Sequence, residues 1–187
     1  MQPAAELAQS LVDECVGNAH GNLERVRELV EEHPALARAR ASWGESPVDA
    51  ATQMGRRDII EYLVSRGAPV DFFTACVLDR RDQVESELSR DPSLVRGRGV
   101  HGLPALYFPA ISGSLELVEL LVSRGADVNE AAQAAAPIHG AVMGGHAEVV
   151  RWLLERGADP TLPDYQGRSA RELALAMDRP ELAALLP

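Results

Sequence analysis

Five histidines and two cysteines are the side chains in this chain that could hold a metal or act as nucleophile and base. His139 and His146 stand seven residues apart with Gly144-Gly145 between them, which matches no zinc-ligand spacing. His20, His33 and His101 are scattered. Cys15 and Cys76 fall in segments that read as helices, where a lone cysteine is a small buried hydrophobe and no disulfide framework is implied. No Gly-x-Ser-x-Gly elbow, Walker-type phosphate loop or Rossmann fingerprint occurs. Most carboxylates, such as Glu24, Glu28, Glu61, Glu116, Glu119 and Glu148, sit where a helix would show them to solvent. The expectation is therefore no catalytic set, no metal and no cofactor.

The elements that carry these residues repeat. Gly145-His-Ala-Glu-Val-Val-Arg-Trp-Leu-Leu-Glu-Arg-Gly-Ala-Asp159 reads as a short amphipathic helix, with Val149, Val150, Leu153 and Leu154 in one apolar stripe. Gly157 just after it is placed as a helix-closing glycine. So short a helix is not stable alone. Related segments start at Gly113, Gly55 and Gly21, with weaker ones at Asp79 and Asp178. The starts are 34, 24, 34, 32 and 33 residues apart, a period that marks stacked repeats, with the third shortened.

Upstream of these segments stand Ala136-Pro-Ile-His-Gly-Ala141, Ser46-Pro-Val-Asp-Ala-Ala51 and Gly167-Arg-Ser-Ala-Arg-Glu-Leu-Ala174. The first resembles the T-P-L-H-x-A signature of ankyrin repeats. The resemblance to the ankyrin repeat family, of the bacterial type, covers essentially the whole chain. It implies an all-α solenoid of about six stacked helix-turn-helix units. The expected divisions are an N-terminal cap over 1–42, repeats over 43–70, 71–95 (shortened), 96–129 and 130–160, and a C-terminal cap over 161–187.

Inside that frame the first helix is expected over 6–19, with Glu6 on its surface. Helices are also expected over 74–78 and 83–88, and a long loop over 93–103. Pro109, about five residues into its helix, is expected to kink it. Tyr62 and Trp152 are expected to face the core.

The family's partners usually contact hairpin tips and the exposed side of the inner helices, a concave groove. Alignment on the glycine or aspartate markers puts Gln53, Met54, Leu78, Phe108, Ile111 and Met143 on that side, with Tyr107 beside Phe108 and Trp43 at a tip. Glu45, His101, Asp164 and Tyr165 are further tip residues, and His20 is a further groove position outside the eight. Apolar exposed surface marks interaction sites, and tryptophan is a frequent anchor. These eight residues are the expected binding site, for another protein rather than for chemistry. The alternative is a small-molecule site or unusual enzyme at the irregular third and fourth repeats, with Tyr107, His101 or His139 as polar groups under the 93–103 loop.

The charge balance supports the first reading. The 28 acidic residues exceed 18 basic ones, all arginine, for a net charge of -10. That disfavours nucleic acid and anionic membrane as partners. The N-terminal residues carry no basic, apolar signal pattern, and no apolar run reaches a membrane span. The sequence reads as a soluble cytoplasmic protein.

Overall fold

In the computed structural model, which describes residues 7–131 and 135–187, every regular element is helical. Glu6 lies outside the described residues. The chain forms two compact units, Met1–Val70 and Asp71–Pro187.

In the first unit α1 (Gln9–Ala19) packs beside α3 (Pro47–Gln53), and α2 (Leu23–Glu32) beside α4 (Arg57–Ser65). The helix signals read from the sequence act as expected at α3. The Ser46 hydroxyl accepts from the Asp49 N–H, the Asp49 carboxylate accepts from the Ser46 N–H, and Pro47 occupies the first position. The unit's core holds Val16, Val26, Leu29, Ile59, Ile60 and Leu63.

In the second unit the inner helices are α5 (Phe72–Val77), α7 (Tyr107–Ser112), α9 (Pro137–Gly144) and α11 (Ala170–Ala176), each packed on the next. Their outer partners are α6 (Arg81–Arg90), α8 (Leu115–Ser123), α10 (Ala147–Glu155) and α12 (Pro180–Ala183). The shortened repeat begins its inner helix earlier than expected because the Asp71 carboxylate caps it, accepting from the Thr74 N–H at 2.8 Å.

The recurring Arg-Gly-Ala explains how three outer helices stop. Gly67, Gly125 and Gly157 have φ of +92°, +98° and +83°. The alanine after each then donates to a carbonyl five residues back, Leu63, Leu121 and Leu153 respectively, closing a Schellman turn. Ala68, Ala126 and Ala158 are buried in the process, which seals the helix end against its own core.

Two expectations are corrected. Pro109 does not sit five residues into a helix, because α7 starts at Tyr107. It is therefore in the first turn, where a missing N–H breaks no helical bond. Tyr62 and Trp152 are half-buried surface rings rather than core residues. Arg27 and Arg66 lie 5.3 and 5.2 Å from the Tyr62 centroid, and Arg156 lies 4.6 Å from that of Trp152.

Candidate functional site: hairpin tips and inner-helix faces

The first unit gathers Trp43, Glu45, Gln53 and His20 into one hydrogen-bonded cluster. Trp43 stands at the tip of the 41–45 hairpin and keeps 52% of its surface in solvent. Its indole N–H donates to Glu45 Oε2 at 2.8 Å. Glu45 is itself only 5% exposed, and its other oxygen accepts from the Gln53 amide at 2.9 Å. The same Gln53 nitrogen lies 2.7 Å from His20 Nε2, and His20 Nδ1 lies 3.2 Å from the Gly17 carbonyl. A buried carboxylate must be satisfied, and the ring of a residue that satisfies it is held in one rotamer.

A second anchor fixes the same tip. Asp13 on α1 accepts from the Ser42 N–H at 2.8 Å and from the Ser42 hydroxyl at 3.0 Å. Hydrogen bonds from the Gln9 amide and from Ser42 keep the Asp13 carboxyl below its ordinary range. Arg40 donates to the Gly44 carbonyl and to Asp49. Met54, at the end of α3, is 37% exposed. Trp43, Gln53 and Met54 thus all reach solvent in the first unit.

In the second unit the expected site residues divide. Leu78, Tyr107, Phe108 and Ile111 are buried, at 3%, 2%, 0% and 3% exposure, whereas Met143 is half-buried. The rings explain the difference. Phe73 and Phe108 have centroids 5.0 Å apart, and Tyr107 meets Phe108 edge-on at 5.6 Å. The segment after the turn Pro92–Arg96 passes directly over them. A Cβ on Gly99 would lie 2.5 Å from the Phe108 ring, and one on Gly97 3.4 Å from that of Phe73. The space under the 93–103 loop is therefore filled by aromatic side chains. An open depression of about 460 Å³ lies elsewhere, at Asp79–Gln83 before and within the first turn of α6.

Tyr107 takes the position that His139 holds one repeat later. Its hydroxyl donates to Met143 Sδ at 3.5 Å, and burial pushes its phenol pKa up. His139 is fully buried, and its Nδ1 accepts from the Ala136 N–H at 3.1 Å, closing the start of α9 as Asp49 closes α3. Burial lowers the His139 pKa despite the nearby Asp164 charge. The two cysteines are buried, and Cys15 is pushed up to about 11, mainly by burial, so neither is a thiolate at neutral pH. Among the described residues no group of three or more His, Cys, Asp or Glu gathers to hold a metal. No helix there is long and apolar enough to cross a membrane.

At the last hairpin Arg168 Nε and Nη2 both donate to Asp164 Oδ2, at 2.9 and 2.7 Å. Burial works against the Asp164 charge, but the Arg168 bonds hold its pKa below the ordinary value. Tyr165, next to this pair, is 65% exposed. The sequence marked Glu45 and His20 only as tip and groove positions. Their bonding to Trp43 and Gln53 joins residues up to 33 apart and has no local signature.

Comparison with known proteins agrees with the architecture. The family of ankyrin repeats (3 copies) matches residues 89–164 and 106–186, together just over half of the chain. The chain belongs to the ankyrin repeat family. It is 32% identical over 129 residues to human BCL-6 corepressor-like protein 1, covering 68% of this chain and 7% of that protein. It is 33% identical over 124 residues to rat ankyrin repeat and SAM domain-containing protein 6, covering 62% and 14%. Human protein phosphatase 1 regulatory subunit 27 is 42% identical over 59 residues, covering 31% and 38%. The chain thus corresponds to a minor part of each of these relatives.

Proposed function

We propose that this chain is a non-catalytic protein-interaction module, acting in the cytoplasm, that binds a partner protein through its hairpin tips and the solvent side of its inner helices. One observation carries the reading. The large apolar side chains left in solvent, Trp43 and Met54 in the first unit and Tyr165, Leu175 and Met177 in the second, lie at hairpin tips and in or just after the last turns of inner helices. Exposed aromatics and methionines at such places are typical binding anchors. Ankyrin repeats generally serve as protein-binding modules, and one relative is by its name a regulatory subunit of a protein phosphatase. Of the residues expected from the sequence, Trp43, Gln53, Met54 and Met143 supply contact surface in this proposal. Leu78, Tyr107, Phe108 and Ile111 support it from the core.

The test is capture from the cell of origin with the full chain and with a Trp43→Ala, Met54→Ala variant, followed by hydrogen-exchange mapping of each purified pair. The expected result is a protein that protects tip and inner-helix amides and is recovered poorly by the variant. Protection confined to the outer helices would overturn the proposal.

A further inference from the structure

We infer that Trp43 is a receptor for an arginine side chain of the partner, which stacks on the indole face beside a cluster of carboxylates. The inference rests on the interaction-module reading and names the chemistry that one of its anchors recognises.

Three observations lead to it. The ring is presented rather than packed away. It keeps about half its surface in solvent, while the bond from its N–H to Glu45 fixes its orientation. Stacking on a ring already held in place costs less side-chain entropy than stacking on a mobile one.

The surroundings are negative. Asp13, Glu45 and Asp49 all bond to the 41–46 segment, and Arg40 is the cation paired among them. An indole N–H that donates to a carboxylate also polarises the ring toward a richer π face, which favours a cation above it.

Finally, the chain applies the same chemistry to its two half-buried outer-helix rings, Tyr62 and Trp152, though not to Tyr165. Arg156 covers Trp152, and Arg27 and Arg66 flank Tyr62. Among the described residues no arginine lies over Trp43. A planar guanidinium stacks on an aromatic face better than an ammonium does. The external ligand that completes this tip is therefore an arginine, with Met54 further along α3 as an apolar contact for neighbouring residues of the partner.

The probe is an acetylated, amidated peptide of alternating alanine and arginine with three arginines, titrated into the isotopically labelled full chain. A control peptide carries citrulline, which keeps the planar shape and removes the charge. The two tryptophans give two indole N–H signals, and a Trp152→Phe variant assigns them. The expected result is a saturable shift of the Trp43 signal, with the citrulline peptide binding about tenfold more weakly and added salt weakening the arginine peptide. Trp43→Leu, which keeps apolar bulk and removes the π face, is expected to lose about tenfold in affinity for the arginine peptide.

Equal binding of the citrulline peptide overturns the inference without any reliance on a variant that must fold. So does an unmoved Trp43 signal at millimolar peptide. A captured partner whose protected surface omits Trp43 also overturns it, and leaves the interaction-module reading intact.

Discussion

His146 Nε2 donates to the Ile111 carbonyl at 3.0 Å, tying the first residue before α10 to the end of the inner helix one repeat earlier. The tie recurs with different chemistry. Arg56 donates to the Gly21 carbonyl, Arg179 to that of Val142, and the Ser114 hydroxyl to the Asp79 carboxylate. The last turn of an α-helix leaves carbonyls short of partners, and His146 satisfies such a group in α7. Arg179 adds a second donor to the Val142 carbonyl, which also accepts the Gly145 N–H, and Arg56 reaches the turn after α1. His146→Ala is expected to lose about 2 kcal/mol of stability, since it strands a carbonyl and empties the space against Gly113 and Gly144. Urea unfolding measures it, and a loss under 0.5 kcal/mol would show that water replaces the ring.

The same histidine contributes to pH dependence. Burial lowers the pKa of both His139 and His146 below the ordinary 6.5, and the Arg179 charge adds to the effect at His146. The unfolded chain then takes up these protons first as pH falls. Stability is fully present above about pH 6.5 and is lost as the pH drops toward the folded-state values. The melting temperature should hold down to about pH 6.5 and then fall toward about pH 5.5, before carboxylates begin to titrate. His146→Gln should show a smaller slope than the natural chain across that window. An unchanged slope would mean that His146 does not contribute.

The helical framework was legible because it is local. Ser46-Pro47 and the Arg-Gly-Ala endings each encode their structure within a few neighbouring residues, and the period near 33 shows the same local signals recurring. The exposure of the site was less so. Counting from the glycine markers put Phe108 and Leu78 on the solvent side of their helices. The Gly97–Leu103 segment, however, folds back over Phe108 and Phe73 from outside the repeat pattern. The kink expected of Pro109 failed for a related reason. The helix start at Tyr107 is set by the preceding Pro104–Leu106 turn, where no capping side chain signals it. Trp43 was marked by its type and its place at a tip, and the carboxylate that orients it is legible only once α1, α3 and the hairpin are packed together.

Gly99 gives a direct measure of how tightly that segment sits. Its φ is -85°, which any residue adopts, so backbone conformation does not require glycine there. Space does. An added Cβ would stand 2.5 Å from one Phe108 ring atom and 2.8 Å from another. Gly99→Ala is expected to cost about 1–3 kcal/mol through displaced rings. Gly125→Ala is the contrasting case, with φ of +98° and nothing within 4 Å of the new methyl. Its cost should be about 1–2 kcal/mol of backbone strain. Near-ultraviolet circular dichroism separates the two, since only the Gly99 variant should change the aromatic signal. An unaltered spectrum would mean that the loop lifts without disturbing the rings.

Asp79 and Asp178 stand where other repeats carry glycine, and both adopt the left-handed conformation that glycine would take, with φ of +58° and +55°. Aspartate enters that region at a cost, but the two sites differ in what offsets it. The Asp79 carboxylate accepts the Ser114 hydroxyl, which joins α5 to the start of α8. Asp178 lies at the final turn between α11 and α12 and is exposed. Asp178→Gly should therefore stabilise the chain by about 0.5–1 kcal/mol, the relief of strain exceeding the extra freedom of glycine in the unfolded chain. At Asp79 the same change should bring no gain, because the lost hydrogen bond is of similar size. The paired experiment is thermal or urea unfolding of both variants, each alone and with Ser114→Ala. If Asp79→Gly proved as stabilising as Asp178→Gly, the Ser114 bond would contribute nothing to holding those repeats together.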